Sequence, residues 1–279
     1  TCPDCASEIN FLEEALDKDS KRVHDTFPCP HCGAELNKDR LDRVLENRID
    51  PVTNEPWRRV KFKPALIVYK IGNTRYEKVP DELDRSLLKR IESMPLPATI
   101  PTNRLPIENM YHGSRIAPKG FSCVHHFFLP RAAQAMGLLW EKAKAFPDSR
   151  IRAFLLFMVE QAIWGLSVLN RYQPIQQGRP GGSQVNRQLN GVYYVASQHA
   201  ECSPWYNLGG KLDRLIKSFQ NFNVGSDNTA ISVGTASRLS LQDASVDYIF
   251  TDPPFGENIY YADLNVLVES WHGVTTNAR

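Results

Sequence analysis

Apolar positions recur along this chain with two periods, one near 3.6 residues and one near 2, and the switches between them mark its elements. Ile9 to Leu16 has helical spacing and predicts a short helix. Leu36, Leu41, Val44 and Leu45 stand among charges and predict an amphipathic helix over 36–48. A basic, β-rich stretch follows. Trp57-Arg58-Arg59-Val60-Lys61-Phe62-Lys63 leads into 65–70, and Gly72-Asn73 turns it back into 74–79, a hairpin. Pro80 opens a helix that reaches Ser93, with acidic residues in its first turn and Lys89-Arg90 near its end. Pro95, Pro97, Pro101 and Pro106 then predict an extended linker.

The second half reads differently. Phe127-Phe128-Leu129-Pro130-Arg131 starts a long helix that carries Ala132, Ala135, Met136, Leu138, Leu139 and Trp140. A second helix over 152–171 is apolar on most sides, which predicts burial. Gln177 to Ser183 is a loop, and 191–196 reads as a strand. A helix over 208–222 sets Leu208, Leu212, Leu215, Ile216 and Phe219 on one face. Thr229 to Val233 and Val246 to Phe250 read as two further strands, the latter buried. Strands alternating with helices predict an α/β fold. The pattern divides the chain into 1–50, 51–125 and 126–279.

Composition changes this picture little. The 279 residues are 42% hydrophobic and 23% charged, with net charge +2, ordinary values for one large globular domain or two. The near-neutral balance means that any basic footprint for nucleic acid is local. No run of about 18 uncharged apolar residues occurs, so no membrane span is expected. No signal-peptide pattern occurs either, and a cytoplasmic protein is expected. The chain starts at Thr1, directly before a cysteine pair, and stops soon after a proline loop, which suggests the interior piece of a longer protein.

Four of the six cysteines form two Cys-x-x-Cys pairs, Cys2/Cys5 and Cys29/Cys32. Each pair can grip one ion from a tight turn, and two such turns complete a tetrahedral four-sulfur site that suits structural zinc. Gly33 fits the tight backbone of the second knuckle. A disulfide framework is disfavoured without a secretory signal, and a redox pair is the minor alternative. His24 and His31 read as bystanders. Cys123, His125 and His126 stand together without a partner pair nearby, so they are not expected to bind metal.

The chemistry of the chain converges on Ser245 to Asn265. The strand over 246–250 runs into Thr251-Asp252-Pro253-Pro254-Phe255, where the two prolines end any sheet ladder. In an open α/β sheet, ligands sit beyond the carboxyl end of a strand. This loop suits methyl transfer to the exocyclic amine of a nucleobase. Such an amine is a poor nucleophile because its lone pair is delocalised into the ring. The Asp252 carboxylate and the Pro253 carbonyl can accept its two N–H bonds, with Pro254 stiffening the backbone. Phe255 offers a flat face on which a flipped base can stack. The bland alternative is a strand ending in a proline turn.

These features resemble the adenine-specific DNA methylases that contain a zinc ribbon, a group of DNA amino-methyltransferases with Asp-Pro-Pro-Tyr or Asp-Pro-Pro-Phe in this position. The knuckles, the hairpin with Pro-Asp-Glu-Leu-Asp, the Phe-Leu-Pro-Arg helix start and Thr-Asp-Pro-Pro-Phe through Tyr-Ala-Asp-Leu-Asn occur in the family's order. The resemblance implies a partial Rossmann-like methyltransferase core over 126–279. It also implies an inserted zinc ribbon over 1–50 and a hairpin, helix and linker insertion over 51–125. It implies S-adenosylmethionine as donor and double-stranded DNA with a flipped adenine as acceptor, with Asp252, Pro253, Pro254 and Phe255 at the reacting base. Thr235 and Thr251 would lie beside the donor. The family's glycine-rich donor loop is missing from this sequence, and Thr235 stands where an acidic residue is often found. This piece alone is therefore expected to be inactive. A non-catalytic zinc-ribbon scaffold is the competing reading, and a methylase of RNA or of protein glutamine shares the same loop logic. Adenine N6 and cytosine N4 need the same two acceptors.

Overall fold

The structure is a computed structural model and describes residues 1–279 except 18, 177–178, 181–183, 222–229, 233, 254–258 and 275–279. Its elements are short, and among the described residues its strands pair only with their sequence neighbours. Helix α1 (Phe11–Ala15) precedes the antiparallel pair β1 (Thr26–Pro28) and β2 (Glu35–Asn37). Next come the pairs β3 (Leu45–Ile49) with β4 (Pro56–Val60) and β5 (Ile67–Ile71) with β6 (Thr74–Lys78). Helices α2 (Glu82–Glu92), α3 (Gly113–Ile116), α4 (Pro130–Lys144), α5 (Ser149–Glu160) and α6 (Ile163–Leu166) follow. The short pair β7 (Ile175–Gln176) and β8 (Arg179–Pro180) leads to α7 (Pro204–Asn221) and α8 (Tyr261–His272). The chain is thus mixed α/β, with small antiparallel sheets. Among the described residues there is no parallel sheet.

Local chemistry explains the elements that match the pattern. Gly72-Asn73 makes the two-residue turn between β5 and β6, with Gly72 at φ +60°. Asp81 caps α2 through a reciprocal capping box with Asp84. Pro130 at the first turn of α4 costs no hydrogen bond there. Along α4 the residues Ala132, Ala133, Met136, Trp140 and Ala143 are buried. Gly137 faces Pro97, and a Cβ there would come within 2.4 Å of the proline ring. The proline-marked linker therefore runs against α4, where Thr99 Oγ1 donates to the Gly137 carbonyl at 2.9 Å.

Four expectations are corrected. The predicted helix over 36–48 is β2, a short turn and β3. Asn37 accepts the amides of Asp39 and Arg40, and the chain then extends to pair Leu45 with Val60. The long buried helix over 152–171 breaks after Glu160, and in α5 only Val159 is buried. The stretch 191–196 keeps a buried face at Tyr193 and Val195 but forms no ladder. The Arg43 guanidinium takes the carbonyls of Val195 and Ala196 at 2.7 and 3.3 Å. The stretch 246–250 is neither a strand nor buried, with Tyr248 80% and Phe250 81% exposed. A strand needs a neighbour to satisfy its backbone, and none lies beside it among the described residues. The strand expected over 229–233 falls partly outside the described residues, and 230–232 form no element.

One core joins residues from Val60 to Trp271. A second, smaller cluster holds Cys2, Ala15, Phe27, Cys29 and Leu36. Helix α8 closes the larger core through Asp263, Leu267 and Trp271, four residues apart on one face. The Trp271 ring lies 5.1 Å from Trp140 and 5.5 Å from Phe128, centroid to centroid. Trp271→Ala should cost about 3–5 kcal/mol, because the cavity cannot collapse between α4 and α8. Urea unfolding checks this, and a loss below about 1 kcal/mol contradicts the packing.

Candidate functional site

The two knuckles are built alike. In each, the first cysteine's carbonyl accepts the amide four residues on: Ala6 to Cys2 and Gly33 to Cys29, both at 2.9 Å. That position takes a left-handed backbone, φ +58° at Ala6 and +77° at Gly33. The β1–β2 pair carries the second knuckle, with Cys29 N–H donating to the Ala34 carbonyl. All four sulfurs lie within 4.8 Å of one another. Two of the sulfur pairs, Cys2/Cys32 and Cys5/Cys29, stand 3.8 Å apart.

That spacing is chemically specific. A disulfide needs sulfurs about 2.05 Å apart. A tetrahedron with metal–sulfur arms of about 2.3 Å has edges of about 3.8 Å. The donor set and its spacing therefore fit a zinc-type ion. Charge leads to the same place. Ser7, through its side chain and its amide, draws the Cys5 thiol down to about 6. At Cys32 the Ala34 amide pulls the other way, but desolvation and the neighbouring sulfurs push the thiol up to about 12. Four thiolates this close ionise together only around a cation. His24 and His31 are both exposed and belong to no metal-type cluster among the described residues.

A second cluster joins Cys123, His125 and His126, all buried and also within 4.8 Å of one another. The partner that the sequence does not reveal is Asp50, from the turn between β3 and β4. Its carboxylate lies 2.7 Å from His126 Nε2 and 3.2 Å from His125 Nε2. It also accepts the amides of Val52 and Thr53. The hydrogen bonds argue against a metal here. His126 Nδ1 already accepts the amides of Ser122 and Cys123, both at 3.2 Å. The ring's proton therefore sits on Nε2 and is donated to Asp50, which leaves no lone pair for an ion. Trp57 stacks on His126 at 4.0 Å and donates Nε1–H to the Gly120 carbonyl. The cluster is a pin that joins the β3–β4 turn to the entry of α4.

The proline loop is placed less completely. Asp252 and Pro253 are exposed, whereas Pro254 and Phe255 lie outside the described residues. Directly downstream the chain is fixed. The Tyr260 ring stacks on Tyr111 at 3.9 Å. Asp263 is 6% exposed and accepts the His112 amide at 3.1 Å. Tyr193 donates its hydroxyl to the Asp263 carbonyl at 2.7 Å. The described residues form no cradle for S-adenosylmethionine. Thr235 and Thr251 are both exposed, and the Thr235 hydroxyl is 2.8 Å from that of Ser237.

Compared with known proteins, the chain matches no family model, no curated protein and no solved structure. No helix among the described residues is long and apolar enough to cross a membrane.

Two outcomes are expected. Elemental analysis should find one equivalent of zinc rather than two. Cys29→Ser should lose it and loosen the cluster of Cys2, Ala15, Phe27 and Leu36, because ligation there contributes folding free energy. Two equivalents would mean that the Cys123, His125 and His126 cluster ligates after all, where the buried His125 Nδ1 has no hydrogen-bond partner among the described residues.

The second concerns pH. Burial, with His125 adding to it, holds His126 down at about 4 against the Asp50 hydrogen bond. The unfolded chain therefore takes up this proton first as pH falls. Stability present above about 6.5 is lost between there and about 4, with a slope of up to about 1.4 kcal/mol per pH unit for this group. Denaturant titrations from neutral pH downward should show that slope, and His126→Gln should flatten it.

Proposed function

We propose that this chain is the zinc-stapled part of an S-adenosylmethionine-dependent DNA amino-methyltransferase, acting most readily on adenine N6. The observation that carries the zinc half is the 3.8 Å separation of the paired sulfurs. The methylase half rests on Asp252-Pro253-Pro254-Phe255 and on the helix that follows it.

Asp252 is exposed and free to meet a substrate amine. As a carboxylate it accepts one amine N–H, and the Pro253 carbonyl accepts the other. Together they turn the nitrogen lone pair out of the plane of the base. The demand for the carboxylate grows as positive charge develops on nitrogen, so the contact is stronger in the transition state than in the ground state. Phe255 would stack the base once it leaves the duplex. Asp263, Tyr193 and Tyr260 hold the start of α8, which gives the loop a fixed downstream anchor.

S-adenosylmethionine would supply the methyl group, and no step is assigned to it because these residues do not form its site. A partial Rossmann-like core belongs to this reading. Its sheet would have to be completed by strands other than the four pairs described here.

A second reading has one observation of its own. The exposed stretch 246–250 also suits a zinc-ribbon scaffold that binds nucleic acid without catalysis.

The two readings separate at Asp252. In a protein that methylates a duplex, Asp252→Ala should lower kcat by about a hundredfold or more, on the order of 3 kcal/mol, with little change in DNA affinity. Steady-state kinetics on an adenine-containing duplex measures this. Wild-type turnover in the variant would leave the loop without a catalytic role.

A further inference from the structure

A basic belt runs beside the start of α8 and lies apart from Asp252 in sequence. Arg43, Arg115 and Lys119 form it, the last two from the single stretch 113–119. The Arg115 guanidinium lies 5.4 Å from the centre of the Tyr111 ring, and Tyr111 stacks on Tyr260. The Lys119 ammonium lies 6.0 Å from the Tyr194 ring. Arg43 reaches the same segment from the other side, bonding the carbonyls of Val195 and Ala196. The three cations are close enough to repel. Lys119 is held below its usual value by burial and then by Arg43 and Arg115.

What the belt lacks is a counter-charge. None of the ion pairs among the described residues includes Arg43, Arg115 or Lys119. Backbone carbonyls satisfy the donors of Arg43 without neutralising it. Asp263, a carboxylate on this side of the core, is buried and accepts the His112 amide. Elsewhere on the surface, cations such as Lys21, Lys61 and Lys78 each have a carboxylate within 3 Å. Clustered cations without partners are costly in the free protein, and a bound anion relieves that cost.

The geometry points to a DNA phosphate-binding belt in which Arg115 and Lys119 contact the backbone of the duplex and Arg43 reinforces their field. The belt ends at Tyr260, eight residues after Asp252 in sequence. The inference rests on the DNA methylase reading for its choice of DNA, but its test does not depend on catalysis.

The test uses the 279-residue chain, a fluorescein-labelled DNA duplex and anisotropy titrations across potassium chloride concentrations. The double variant Arg115→Gln/Lys119→Gln should reduce the slope of log affinity against log salt by about 1.8, which is about 0.9 per lost phosphate contact. Lys78→Gln, at a cation already paired with Asp81 and Asp84, should keep the wild-type slope. Circular dichroism should show the fold unchanged in both. An unaltered slope in the double variant overturns the belt, as do a chain that binds no duplex and tighter binding to an RNA duplex of the same sequence. If Asp252→Ala retains turnover in a protein that methylates a duplex while the double variant of this chain lowers the salt slope, the methylase reading falls and the belt stands.

Discussion

The Asp50 carboxylate carries its charge into a place almost closed to water, and four donors converge on it. Two come from its own turn, Val52 and Thr53, and two from the imidazoles of His125 and His126. Burial alone would raise this carboxyl. The His126 hydrogen bond and the two amides instead draw it down to about 2. Removing any one donor would leave a buried charge short of a partner, which is far more costly than losing a surface ion pair. Because Asp50 belongs to the β3–β4 turn and the histidines precede α4, this one group fixes how the N-terminal hairpins meet the helical core. Trp57 on His126 and the close approach of Gly120 to Arg58 and Arg59 follow from that fixed contact.

Much of the local structure was legible in the sequence because its causes are local. The knuckles, the Gly72-Asn73 hairpin, the capped α2 and the Pro130 helix start each depend on residues a few positions apart. The cysteine spacing predicts the sulfur cluster, and the structure brings those sulfurs together. What failed depended on distant partners. The periodicity of Leu36, Leu41, Val44 and Leu45 suits a helix, but pairing of β3 with β4 overrides it. The alternation at 191–196 is real, but Arg43, some 150 residues earlier, takes the carbonyls that a neighbouring strand would have used. No local pattern announces a contact of that range.

The same reasoning separates the two candidate sites. Cys123, His125 and His126 carry metal-type side chains, and sequence alone cannot show that Asp50 meets them. Once it does, the direction of each hydrogen bond decides what the imidazoles can still do. The proline loop is the opposite case, with strong local chemistry and weak surroundings. Its upstream stretch is rich in β-branched and aromatic residues yet stands in solvent, and such a sequence is stable as a strand only when another strand meets it.

Helix α8 has a consequence for how this chain acquires its structure. The small cluster of Cys2, Ala15, Phe27, Cys29 and Leu36 is complete once residues up to Asn37 have been made. The large core is not, since Leu267 and Trp271 fill its centre from the far end of the sequence. At synthesis rates of roughly 5–20 residues per second, tens of seconds separate the two closures. During that interval Trp140, Phe128 and Tyr193 wait with an open face, while the knuckles already hold their shape. Folding is therefore ordered from the cysteine end, and its slow, exposed phase is the wait for the helix that follows the proline loop.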